Sequence, residues 1–166
     1  HEEFMIDFLF NNNNNIKDWI NFGADQTFRS YGIEIVEFIK EGFDDVTIDN
    51  LRKSLIEKMG DPHINFFKNL KLNYTTNKYL FVHGGIDPEK KFENQSKKDF
   101  LWHRSENFFS HDFKYERVIV HGHTPEENIV DHPFRINVDT GCYFSGKLSC
   151  VLLNDTNDQR EFIDSK

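Results

Sequence analysis

Apolar positions in the first 70 residues recur at helical spacing. Phe4, Met5, Phe8 and Leu9 share one side of a turn and predict a helix over 2–10. The polar run Asn11 to Asn15 closes it and predicts a loop or helix-end tip. Ile16, Trp19 and Ile20 stand at i, i+3 and i+4, so a short second helix follows, stopped near Gly23. Asp25 is the expected N-cap of another short turn up to Gly32. Residues 33–40 fit helix or strand, and helix is preferred. Thr47 is the expected N-cap of a helix with Ile48, Leu51, Leu55 and Met59 on one stripe, ended by Gly60. Asp61 and Pro62 then restart a helix as N-cap and first helical residue, with Ile64, Phe67 and Leu70 on its apolar side.

From residue 71 the period changes from helix to strand. Residues 72–76 and 79–83 around a Thr-Asn turn predict a hairpin. Residues 117–120, 135–138 and 148–153 are further strands, rich in β-branched side chains. Residues 86–112 form an irregular stretch with one or two helical turns. The tail after Asn154 is polar and is expected to fray. The fold class is therefore α/β. A mostly helical part (1–70) precedes a mostly β part (71–154) and a tail (155–166), within one domain and without internal repeat or linker.

Composition narrows the function classes. A chain of 166 residues can bury about two-thirds of its unfolded surface. Its charged content of 29% and mean hydropathy of -0.66 fit a soluble, cytoplasmic protein. No run of about 18 apolar residues exists, so no membrane partner is expected. The net charge of -8 argues against nucleic acid, whose phosphates need a basic face. An anionic substrate would then need local positive charge from metal ions or a particular arginine. The two cysteines, Cys142 and Cys150, lie in apolar, strand-like sequence and are expected as reduced, small buried thiols. Eighteen phenylalanines and the asparagine run suggest a coding bias rather than chemistry.

The candidate chemistry lies in three histidine motifs. His1-Glu2 opens the chain, Phe81-Val82-His83-Gly84-Gly85 leaves one strand, and Val120-His121-Gly122-His123-Thr124-Pro125 leaves another. A strand, a histidine and a glycine turn can present imidazoles to a metal at a sheet edge. Taken singly, a histidine at a strand end is more often hydrogen-bonded structure than a metal ligand, and His1 reads equally as an exposed terminal residue. Arg104 reads by itself as a surface ion-pair partner. Asp139, in Asp-Thr-Gly, would either back a ligand histidine or cap the next turn; the cap is preferred.

In order and spacing, these motifs resemble the calcineurin-like metallophosphoesterases, specifically the bacterial-type phosphoprotein (serine/threonine) phosphatase family. His1-Glu2 resembles the end of Gly-Asn-His-Glu, His83-Gly84-Gly85 the His-Gly/Ala-Gly motif, and Gly122-His123-Thr124-Pro125 the Gly-His motif. Residues 23–32, 99–104, 135–141 and 146–148 also look like family segments, so the resemblance spans nearly the whole chain. Pro125 stands where other metallophosphoesterases carry a further histidine, which favours the phosphoprotein phosphatase branch. His103 departs from an apolar or small position, and Asp87 stands where relatives carry arginine or serine. Asp-x-His, Gly-Asp-x-x-Asp-Arg-Gly and the Gly-Asn of the third motif are not in these 166 residues.

The resemblance implies part of a two-sheet sandwich with flanking helices. It implies His83 and His123 as ligands of one metal ion, Arg104 on the substrate phosphate and His1 as proton donor to the leaving oxygen. His121 has no ligand role in it, and solvent or the layer behind the ligands is expected there. Two divalent ions are implied, manganese first, with iron or zinc as alternatives. The implied reaction is attack of a two-metal-activated hydroxide on the phosphorus of a phosphoprotein or small phosphoester. A related reading is dinucleoside polyphosphate hydrolysis. A reading of another class is a non-catalytic fragment or binding module. The 166 residues alone are expected to show little activity, because the other ligands belong to the motifs they lack.

Overall fold

The computed structural model describes residues 1–11, 16–40, 42–110 and 114–165. The chain forms two compact units, His1–Leu70 and Lys71–Lys166. Asn12 to Asn15 of the asparagine run lie outside the described residues.

The first unit is helical: α1 (Glu2–Phe10), α2 (Ile16–Ile20), α3 (Ala24–Ser30), α4 (Ile35–Ile39) and α5 (Asp45–Lys68). The helical stripes converge. Phe8, Trp19 and Phe28 meet with ring centroids 5.3–5.9 Å apart. Leu51 and Leu55 are buried in the same core. Arg52 is buried too, because its guanidinium lies over the Phe8 ring and its Nε donates to the Phe8 carbonyl at 2.6 Å.

Two caps differ from expectation. Gly23, not Asp25, precedes α3, and Asp25 sits in its first turn, where a carboxylate favours the helix dipole. Asp44, not Thr47, caps α5, since its Oδ1 accepts from the Thr47 amide at 2.7 Å. Helix α5 continues through Asp61 and Pro62, but Gly60 interrupts it with φ 65° and ψ 172°. Only glycine adopts that region without strain, so the span is two helices meeting at Gly60, the first ending there and the second restarting at Asp61 and Pro62 as expected. Ile64 and Phe67 pack on the core, whereas Leu70 stands exposed.

The second unit is built on a mixed sheet. Its strands are β1 (Asn73–Thr75), β2 (Tyr79–Val82), β3 (Val118–His121), β4 (Val130–His132) and β5 (Arg135–Asn137), in the order β1-β2-β3-β5-β4. β1 and β4 run antiparallel to their neighbours, while β2, β3 and β5 are mutually parallel. Strand alternation sorts the side chains. Leu80 and Ile119 face Phe100 and Phe108 from α6 (Lys97–Trp102) and α7 (Glu106–Phe109). Tyr79, Val120 and Ile136 face Val151 and Leu153 of β6 (Ser149–Leu153).

β6 pairs with β7 (Arg160–Asp164) as a separate two-stranded sheet. The tail expected to fray is thus ordered by a ladder running from Ser149↔Asp164 to Leu153↔Arg160. Asp155 adds to this by accepting from Thr76 Oγ1 at 2.6 Å and the Lys78 amide at 3.0 Å, across the β1–β2 turn. A 3-10 turn (Phe92–Asn94) and α8 (Cys142–Ser145) complete the unit. Cys142 and Cys150 are unpaired, as expected, but exposed rather than buried, Cys142 on the short helix and Cys150 on an outer strand position. No helix among the described residues is long and apolar enough to cross a membrane.

Candidate functional site

Parallel pairing of β2 and β3 sends both strands out at one sheet edge, with Phe81 beside Val120. The register continues one step further, where the Gly122 amide donates to the His83 carbonyl at 2.9 Å. The His83 and His123 rings therefore meet, centroids 4.9 Å apart. A third segment closes on them from α6. The Gly84 amide donates to the Phe100 carbonyl at 2.6 Å, and Trp102 stands edge-on to His123 at 5.4 Å. Arg104 follows α6, and its guanidinium donates to the His123 carbonyl at 3.2 Å. That contact uses one of five N–H donors.

The turn behind His83 depends on one close approach. Gly85 has φ 144°, and a Cβ there would lie 2.7 Å from the Phe108 ring. The loop beyond is tied by a polar network. Lys90 reaches both Asp99 oxygens at 2.9–3.0 Å, and Ser96 and Asp99 cap α6 reciprocally. Burial pushes the Asp99 carboxyl up, but Lys90 and Ser96 outweigh it and hold it at about 2. Asp87 accepts from the Glu89 amide at 3.0 Å and pairs with Lys90 at 3.1 Å, so it works within the loop. His103 turns to Ser105, 2.6 Å away, and lies edge-on to Phe108.

His123 occupies an unusual backbone position. Its φ is 70°, and the Thr124 amide donates to the Gly122 carbonyl at 2.8 Å, closing a three-residue γ-turn around it. A non-glycine residue held there stores roughly 1–3 kcal/mol, so the surroundings must enforce it. Its buried Nε2 has no hydrogen-bond partner among the described residues, and neither has the Thr124 hydroxyl beside it. Burial, then the nearby Arg104 and His83 charges, push His123 down to about 4. The ring is therefore neutral at pH 7, the state a metal ligand requires.

His121 is not solvated. It is 2% exposed and faces Phe108 at 4.9 Å. Its Nδ1 lies 3.0 Å from the Gly122 carbonyl, its Nε2 3.3 Å from the Arg135 guanidinium. Burial pushes it down to about 4 as well. Asn137, fully buried, donates to the Thr124 carbonyl at 2.8 Å. Asp139 accepts from the Gly141 amide at 2.9 Å and so caps its turn. Arg135, Asn137, Trp102 and Thr124 were not among the sequence candidates. Arg135 and Asn137 flank Ile136 on β5, and alternation alone would turn them outward; they are buried because both faces of that strand are covered. Trp102 ends α6 and Thr124 lies in the turn, so neither carried a period signal.

His83, His123 and Arg104 are thus brought together. His1 belongs to the first unit, where its ring stacks on Phe22 at 5.4 Å and its amino group lies 3.2 Å from Glu2. A metal ion fits the donor chemistry of two converging imidazoles, one with a buried, unpartnered nitrogen. Among the described residues, no group of three histidine, cysteine or carboxylate side chains assembles to close the shell. No protein-family model matches the chain, and no curated protein matches it.

Proposed function

We propose that this protein is a metal-dependent phosphoester hydrolase, with phosphoserine or phosphothreonine proteins or small phosphoesters as substrates. The observation that carries the reading is the meeting of His83 and His123 at one sheet edge, with the Arg104 guanidinium against the His123 carbonyl. His83 and His123 would hold one divalent ion, manganese first. When bound, such ions supply Lewis acidity, lowering the pKa of water and offsetting charge on a phosphoryl group. Arg104 would bind phosphate oxygens with the donors left after its backbone contact. Trp102 would shield the ligand ring from water on one side. His1 is the proposed proton donor, a role resting on its motif.

A second reading is a metal- or phosphate-binding module without turnover. It is favoured by the two-histidine donor set, which no third described residue completes. Dinucleoside polyphosphates remain the alternative substrate class for the hydrolase.

Calorimetric titration with manganese, and turnover of p-nitrophenyl phosphate, test these readings. Metal binding should weaken at least about tenfold in His83→Ala and in His123→Ala, the loss expected when a donor leaves a shell. Turnover by residues 1–166 should be no more than trace. Manganese binding indifferent to both substitutions would defeat the metal reading. Robust turnover abolished by His123→Ala would instead reject the binding module and show that the 166 residues suffice. Preference for diadenosine tetraphosphate over a phosphopeptide by more than about tenfold, roughly 1.4 kcal/mol, would select the alternative substrate.

A further inference from the structure

We propose that Arg135 and His121 are positioning residues, a buried relay that holds the strained turn and thereby aims His123. This rests on the metal-site reading for its purpose but not for its test.

Each of the three carbonyls of the turn has a side-chain nitrogen within hydrogen-bond distance. Gly122 faces His121 Nδ1 at 3.0 Å, His123 accepts from Arg104 at 3.2 Å, and Thr124 accepts from Asn137 at 2.8 Å. The Gly122 carbonyl belongs to the peptide that joins Gly122 to His123. Its direction fixes the amide plane from which the φ of His123, 70°, is measured. A donor on that oxygen therefore acts on the aim of the His123 ring.

A neutral imidazole has one donor nitrogen and one acceptor. A guanidinium only donates. Arg135, 3.3 Å from His121 Nε2, therefore requires that nitrogen to be the acceptor. The proton must then sit on Nδ1, where it points at the Gly122 carbonyl. Without Arg135, either tautomer would be open, and the Nε2–H form would set a lone pair against the carbonyl oxygen.

Arg135 is placed for this task by the fold. It is 4% exposed, lies over the Phe109 and Phe108 faces at 5.2 and 5.8 Å, and has no carboxylate within ion-pair distance among the described residues. Its β5 register sets it beside Ile119, two residues before His121 on the same face of β3. Burial weakens the guanidinium's hold on its proton, and Glu126 offsets this only from beyond ion-pair distance, so the cation is costly to keep there.

The test is nitrogen-15 NMR of the imidazole rings at pH 7.5 in chelator, followed by cobalt(II) titration. His121 should show the Nδ1–H tautomer. Arg135→Met should shift it toward Nε2–H and move the His123 backbone and ring resonances, whereas Arg135→Lys, which keeps a donor, should largely restore them. His121→Asn, whose amide nitrogen can take the place of Nδ1, should bind cobalt within about threefold of the parent. His121→Phe should bind roughly 10- to 100-fold more weakly, the range for residues that orient a ligand. An Nε2–H tautomer in the parent protein would overturn the relay, as would His123 resonances unchanged in Arg135→Met. If Arg135→Met does not fold, the parent tautomer and the His121→Asn against His121→Phe contrast still decide. If the parent binds no cobalt, the metal reading fails, and the tautomer spectra judge the relay separately.

Discussion

At the scale of single residues, the site joins one exposed cation to one constrained imidazole. Arg104 contacts the His123 carbonyl and keeps further donors for a ligand. Hydrogen bonds to charged groups contribute about 1.5–3 kcal/mol, or roughly 10- to 100-fold in affinity. Arg104→Ala should therefore weaken inorganic phosphate binding to the manganese-loaded chain by that factor, with Arg104→Lys intermediate because it lacks the planar fork. Calorimetry measures it; unchanged phosphate affinity would remove Arg104 from the site. In a longer chain that also carries the Asp-x-His and Gly-Asp-x-x-Asp-Arg-Gly motifs, His1→Asn should reduce turnover of a phosphoserine peptide more than that of an aryl phosphate, whose leaving group needs little proton donation. Equal losses in steady-state kinetics on both substrates would exclude the general-acid role.

At the scale of elements, two glycines carry geometry that no other residue can. Gly60, at φ 65° and ψ 172°, breaks α5 so that Ile48, Leu51, Leu55 and Met59 stay buried before the bend while Ile64 and Phe67 pack after it. Gly85 lets the turn after β2 pass the Phe108 ring, which a Cβ would approach to 2.7 Å. Gly85→Ala should lose about 1–3 kcal/mol through overpacking. Gly60→Ala should lose about the same through backbone strain. Gly85→Ala should in addition disturb the His83 ring resonances, because that turn directly follows His83. Urea denaturation with imidazole spectra checks both; a neutral Gly85→Ala would show that Phe108 yields easily.

At the scale of the whole molecule, stability should depend on acid through Asp99. Its folded carboxyl lies at about 2 against an ordinary 3.8. The unfolded chain therefore takes up a proton that the folded chain still refuses as pH falls through that interval. The contribution is fully present above pH 3.8 and lost progressively toward pH 2. Unfolding midpoints between pH 5 and 2 should fall less steeply in Asp99→Asn than in the parent. Parallel profiles would mean that Lys90 and Ser96 do not hold the carboxylate as described.

What the sequence determined by itself is the type of most elements. Helical stripes such as Ile48-Leu51-Leu55 and strand runs such as Tyr79 to Val82 express a local period, and local periods need no partner to be read. Glycines after His83 and before His123 likewise mark strand exits, because turns demand particular residues. Only tertiary structure decided the rest. β4 and β7 are polar segments that become strands through the ladders offered by β5 and β6. The order β1-β2-β3-β5-β4 decides that His83 and His123 leave at the same edge, 40 residues apart in the chain. His121 and Arg135 look solvated in isolation, yet the covering of both faces of the sheet buries them under Phe108. Burial there removes water as a partner, so each polar group must find another inside the fold.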